Sequence, residues 1–105
     1  MNNNYSKIYL ILLNVACAGP TYKVIGPYAD TGNRALRYGP QSYGYTPDTC
    51  SITCKTYTYF ALQDNGWCSC DSDWNHVIKY GPSSCGPNGG AWCNYVYQNL
   101  ENVSE

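Results

Sequence analysis

Four cysteines crowd the stretch TPDTCSITCKTYTYFALQDNGWCSC: Cys50 and Cys54, separated by three residues, then Cys68 and Cys70, separated by one. Sulfur at this density can hold a soft metal ion, pass electrons, or staple the chain. A structural zinc site asks for C-x(2–4)-C pairs whose sulfurs converge on one point; a C-x-C pair on an extended strand is a poor match, and the single histidine, His76, stands apart in sequence. A thioredoxin-type centre needs C-x-x-C, which is absent. The spacing therefore favours disulfides, with no metal and no other cofactor expected.

The elements that would position these sulfurs can be read locally. TPDTCSITCK has the grammar of a short helix, with Thr46 as N-cap, Pro47 at the first helical position, Asp48 complementing the dipole and Lys55 near the end. Cys50 and Cys54 then share one helical face. Residues Thr56 to Gln63 are rich in strand formers, DNG at 64 to 66 is a hairpin turn, and WCSC returns as a second strand with Cys68 and Cys70 on one face. A Cys68–Cys70 bond would close a tiny strained ring, and a bond along the helix fits disulfide geometry poorly. Two bonds crossing from helix to strand suit both faces, whichever sulfur pairs with which.

The chain has 105 residues, 12% of them charged, and a formal net charge of −1. Its six Lys and Arg are scattered, so no nucleic-acid partner is expected. The N-terminus reads as a secretory signal peptide over residues 1–18: Lys7, an apolar run from Ile8 to Val15, then Ala16-Cys17-Ala18. That run is too short to span a bilayer, and no second one follows. A buried strand IYLILLNV belonging to the mature fold is the competing reading. Removing Cys17 leaves six cysteines, Cys50, Cys54, Cys68, Cys70, Cys85 and Cys93, an even set in a secreted chain too small to do without staples.

The remainder is loop-rich. Segments Tyr38 to Asp48 and Lys79 to Gly90, full of Gly, Pro and Ser, read as surface turns, and AWCNYVYQN reads as a closing strand. Residues 19–99 make one domain and 100–105 a tail. The expected fold is a small disulfide-stapled α+β domain, a short helix on a small antiparallel sheet.

Twelve Tyr and three Trp against one Phe is the unusual feature of the composition. Trp67 and Trp92, with Tyr28, Tyr59 and Tyr97, are read as core. Tyr38, Tyr43, Tyr45, Trp74 and Tyr80 fall in loop or turn segments and are the candidates for stacking on sugar faces or for an interface. Asp71 and Asp73 could form a calcium or acid/base pair, but two carboxylates on a polar loop are read as solvated. With one histidine and the cysteines bridged, no nucleophile and base pair remains, so catalysis is not expected. Asn4 and Asn102 begin glycosylation sequons; the first would leave with the signal peptide.

YKVIGPYADTGNRAL, the C-x3-C pair, YTYFALQDNGWCSC and GGAWCNYVY together resemble a WSC domain, a small apple-like module of secreted proteins and ectodomains, from about Tyr22 to Tyr97. That family usually has eight cysteines; here the first falls at Pro27 and the sixth at Gly81, and since those two bond to each other one whole disulfide is missing, a loss of roughly 2 to 4 kcal/mol before compensation. The resemblance implies the pairs Cys50–Cys68, Cys54–Cys70 and Cys85–Cys93. Asp71 in place of a glycine and the altered closing motif GGAWCNYVY depart from the family pattern in the flanking loops. The resemblance further implies an extracellular, noncatalytic module that binds polysaccharide of a cell wall or matrix. The alternative is a structural subunit that assembles with copies of itself into a fibre or layer, encouraged by low charge and Tyr-rich surface loops.

Overall fold

The computed structural model describes residues 19–100. The signal-peptide reading, Cys17, the apolar run and the sequons at Asn4 and Asn102 lie outside the described residues. The elements are β1 (Tyr22–Ala29), β2 (Tyr38–Ser42), α1 (Pro47–Thr53), β3 (Tyr59–Gln63), β4 (Trp67–Asp71), α2 (Trp74–Val77) and β5 (Cys93–Asn99). The strands form one antiparallel sheet in the order β1-β5-β3-β4-β2. The mixed α+β class expected from the sequence is the one observed.

Period-two alternation gives the sheet two different faces. Phe60 and Leu62 of β3, Cys68 and Cys70 of β4 and Tyr97 of β5 point to one side, where Cys50 and Cys54 of α1 meet them in a buried cluster. Ala61 and Val96 point to the other, beneath Ala35, Leu36 and Val77. The aromatic residues of the first face are locked by ring geometry: Phe60 stacks on Tyr97 at 4.9 Å, and Tyr22 meets both edge-on at 5.3 Å.

Helix α1 forms as its sequence dictates. Thr46 is the N-cap; its hydroxyl accepts from Thr49 N at 3.2 Å while the Thr49 hydroxyl accepts from Thr46 N at 2.9 Å, a reciprocal capping box with Pro47 at the first helical position. At the far end the Asn99 amide donates to Cys54 O at 3.1 Å and Tyr57 O at 3.2 Å, satisfying carbonyls that the helix terminus leaves open. Lys55 lies beyond the last turn and plays no dipole role.

The staples are Cys50–Cys68, Cys54–Cys70 and Cys85–Cys93. The first two fix α1 across β4, and all four of their residues are fully buried. Cys54 Sγ also touches Cys68 Sγ at 3.7 Å, so the two bonds pack against each other as core. Three of these sulfurs lie within 4.8 Å of one another, as in a thiolate metal site, but their bonding leaves no thiolate to donate.

Three local readings are corrected. Tyr38 to Ser42, expected as a turn, is an edge strand that pairs with β4 at Tyr38↔Cys70 and Ser42↔Cys68 with an irregularity between. An edge tolerates Pro40 because the proline's missing N–H is not needed by a further strand. Gly39 is required there, since a Cβ would run into Cys70 Sγ. The CDSDW segment, expected as a solvated loop, instead turns into α2: Asp73 caps it by accepting from Asn75 N at 2.9 Å. Asp71 is 2% exposed and accepts from Arg37 N at 3.1 Å and Asp73 N at 2.9 Å, with His76 Nδ1 at 3.1 Å. Trp92, expected as core, is 55% exposed. Its φ of +53° turns the chain just before β5 begins, so the closing strand starts at Cys93 and not at Ala91.

The outer strand β1 is likewise irregular. Its register slips between Val24 and Gly26, with Gly26 at φ +133°, and Pro27 follows. On its outer side, among the described residues, it is met near its end, where Ala29 N donates to Gly81 O at 2.9 Å and Ser83 N to Pro27 O at 3.2 Å.

Two outcomes follow. Reduction of the folded domain should add two hydrogens for each of three bonds by intact mass, and Cys54→Ala with Cys70→Ala should lower stability by roughly 3 to 5 kcal/mol in denaturant titration. The second concerns pH. Tyr22 donates to Asp48 Oδ1 at 2.5 Å, and this bond, aided by burial, pushes its pKa up to about 12; burial does the same for Tyr97. Both phenols ionise near 10 when unfolded, so their neutral forms support the fold below pH 10 and that support is lost as the pH climbs toward 12. Phenolate absorbance should show late-titrating tyrosines, Tyr22 and Tyr97 among them, whose ionisation accompanies unfolding, and Tyr22→Phe should remove one of them.

Candidate functional site

At the tip of the β3–β4 hairpin the sheet ends in a cleft of about 160 Å³ lined by Arg34, Tyr43, Gln63, Asp64, Trp67 and Trp92, with Ala91. The hairpin supplies three of these. Gln63 pairs with Trp67 across a three-residue loop in which Asp64 and Asn65 take φ of +49° and +64° and Gly66 takes +120°, the left-handed values that the DNG sequence suits. Gly89 packs directly against the backbone at Leu62 and Gln63, where no Cβ would fit, and so lets the Gly89-Gly90 segment carry Trp92 to the same end of the sheet.

The centre of the site is Arg34. Its guanidinium lies over the Trp67 ring at 4.1 Å and over the Trp92 ring at 5.1 Å, a cation in contact with two aromatic faces. Asp30 holds it there: Asp30 Oδ2 receives Arg34 Nη1 at 3.3 Å, and the aspartate side chain is only 1% exposed. Asp30 Oδ1 accepts from Ala35 N at 2.8 Å, while Asp30 N donates to Trp92 O at 2.9 Å. One buried residue thus ties together the loop that carries Arg34 and the turn that carries Trp92. With the Gln63 amide oriented to satisfy its neighbours, its oxygen accepts from Arg34 Nη1 at 2.6 Å and its nitrogen donates to Asp30 Oδ2 at 3.3 Å. Asn94 lies directly opposite Gln63 on β5 and is fully buried, and its side-chain amide has no hydrogen-bond partner among the described residues.

The rim is polar and exposed. Tyr43, 59% exposed, donates to Asp64 Oδ2 at 2.5 Å, and this bond raises the tyrosine pKa above its usual value. Trp92 presents a flat apolar surface beside these groups, from a residue in a backbone region that non-glycine residues seldom occupy. Such an outlier, bracketed by the Cys85–Cys93 bond, is a feature the surrounding structure must maintain. Chemically, the arrangement can stack a ring and accept or donate hydrogen bonds around it.

Of the five aromatic residues singled out in the sequence, Tyr43 lies in this cleft. Tyr38 stacks on Tyr57 at 5.6 Å on the β2 edge, and Tyr45 packs against the cysteine cluster. Trp74 contacts Tyr28 and Tyr59, and Tyr80 donates to Asn33 O at 2.6 Å under the Lys79 ammonium. Among the described residues no ring contact joins any two of the five. Arg34, Gln63, Asp64, Trp67 and Trp92 were not anticipated as site residues. The signal for them was positional: Trp67 flanks the DNG turn and Trp92 follows a Gly-Gly pair, so both rings must emerge where the chain reverses.

No protein-family model matches the chain, and no curated protein matches it. Among the described residues no helix is long and apolar enough to cross a membrane.

The positioning role of Asp30 is open to test. Asp30→Asn should keep the loop bond from Ala35 N but weaken the grip on Arg34, and the near-ultraviolet circular dichroism of the Trp67–Arg34–Trp92 stack should diminish while the three disulfides remain.

Proposed function

We propose that the domain is an extracellular, noncatalytic module that binds polysaccharide of a cell wall or matrix, and that the Trp92 cleft is its binding surface. The observation that carries this reading is an exposed indole face set beside Tyr43, Asp64, Gln63 and Arg34. A pyranose ring offers an apolar face of C–H groups and a periphery of hydroxyls, and the cleft offers a flat ring with hydrogen-bonding groups around its edge. The indole is held in place before any ligand arrives by the strained Trp92 backbone, the Cys85–Cys93 bond and the Asp30 N–H, so little ordering entropy opposes binding. Three disulfides are compatible with an oxidising, extracellular setting.

The resemblance to WSC domains supports the same reading. The disulfide pairs implied by the resemblance are those present, and Pro27 and Gly81, which stand where that family has a bonded pair of cysteines, lie on adjoining backbone segments bridged at Tyr28↔Pro82. Hydrogen bonds from Ala29 N and Ser83 N close the place where the missing staple would sit.

The test is a panel of soluble and insoluble polysaccharides with wild type and Trp92→Ala. Retention of the folded wild type on at least one polymer, weakened about tenfold or more in the variant, is the expected result, since loss of an aromatic stacking contact costs on the order of 1 to 2 kcal/mol. Trp92 contributes to no buried cluster, so the variant should keep its disulfides and melting behaviour. Uniform absence of binding would end the proposal.

A further inference from the structure

We propose that Asp64 makes the Trp92 cleft selective for uncharged glycan segments and turns away polymers bearing carboxylate or sulfate groups. The inference rests on the glycan-binding reading of the cleft and specifies the ligand class within it.

The argument is a charge inventory of the lining. Two residues of the cleft carry charge, Arg34 and Asp64. Arg34 is engaged within the protein: Nη1 serves Asp30 Oδ2 and the Gln63 oxygen, and the guanidinium lies 4.1 Å and 5.1 Å from the Trp67 and Trp92 rings. Its charge is matched by the buried Asp30 carboxylate, so the pair presents no net cation to a ligand. Among the described residues the Asp64 carboxylate has no cationic partner, and its one hydrogen bond is from the neutral Tyr43 hydroxyl, at 2.5 Å. The hydrogen bond to Asp64, then burial and the Asp64 charge, raise the Tyr43 pKa, against a smaller lowering by Arg34. A ligand hydroxyl can donate to the Asp64 carboxylate as Tyr43 does. An anionic substituent can donate nothing and meets a like charge. With water between the two charges at this exposed rim, that repulsion corresponds to about a fivefold to tenfold loss in affinity, and it should fade as salt shortens the Debye length.

The experiment compares each neutral polysaccharide of the panel with its own carboxymethylated form, so that backbone and linkage are held constant. Wild type should prefer the neutral form by at least fivefold at low ionic strength, and the preference should shrink by about threefold or more at high salt. Asp64→Asn is the informative variant, because asparagine tolerates the left-handed φ of +49° and keeps an acceptor for Tyr43. It should bind the two forms nearly equally. Tyr43→Phe, which leaves the charge in place, should retain the preference. Equal or tighter binding of the carboxymethylated form by wild type would overturn the selection while leaving the glycan reading intact. A neutral preference unchanged in Asp64→Asn would show that Asp64 is not its source and would also overturn it. Failure of wild type to bind either form of any polymer would remove the glycan reading and this inference together.

Discussion

The two disulfides between α1 and β4 occupy the position where a larger domain would place leucines. Four of the seven buried residues in the main cluster are half-cystines, and their sulfurs touch across the two bonds. Sulfur packs as a small apolar group, so each bond both fills the core and restricts the unfolded chain. With loops of 18 and 16 residues, each closure is worth about 3 kcal/mol in the chain-entropy account. A domain of this size buries too small a fraction of its surface to forgo that contribution. Everything else is arranged around it: Gly39 is glycine because Cys70 leaves no room, and Asn99 reaches over to close the helix that the bonds have fixed.

The opposite end of the hairpin shows the same economy achieved with charge. Among the described residues no disulfide reaches the Arg34 loop. Asp30 takes over as the cross-link, joining Ala35 N, Arg34 and the Trp92 segment through one carboxylate and one amide. A buried ion pair is seldom a net source of stability, but its geometry is directional, and direction is what two indole rings set around a guanidinium require. The third disulfide anchors the other flank of the Trp92 turn, leaving the exposed ring on a short, doubly tethered segment.

Much of the frame was legible in the sequence because its signals are local. The capping grammar of TPDT, the DNG turn and the two cysteine spacings each act within a few residues, and they located α1, the hairpin and the general course of the crossing bonds. The resemblance to WSC domains named the pairs themselves. The errors share a cause. Tyr38 to Ser42 reads as a turn because Gly and Pro punctuate it; only the presence of β4 alongside converts it to an edge strand. Asp71 reads as solvated because nothing in CDSDW announces that Arg37, 34 residues earlier, will supply a backbone N–H. Trp92 reads as core because a tryptophan beside a cysteine usually is, and its exposure depends on a left-handed φ that sequence does not advertise. The cleft was missed for the same reason, being assembled from residues 30 to 92 by tertiary contact.

Both outer strands of the sheet are interrupted. β1 carries a bulge at Gly26, a proline at 27 and an exposed Lys23, while β2 has Pro40 and, at Gln41, a φ of +50°. A strand offered by another molecule finds a poor template at either border, which is how natural sheets resist edge-to-edge growth. Any backbone pairing across either border would have to break at the bulge and the prolines, so a continuous ladder between two such sheets is disfavoured.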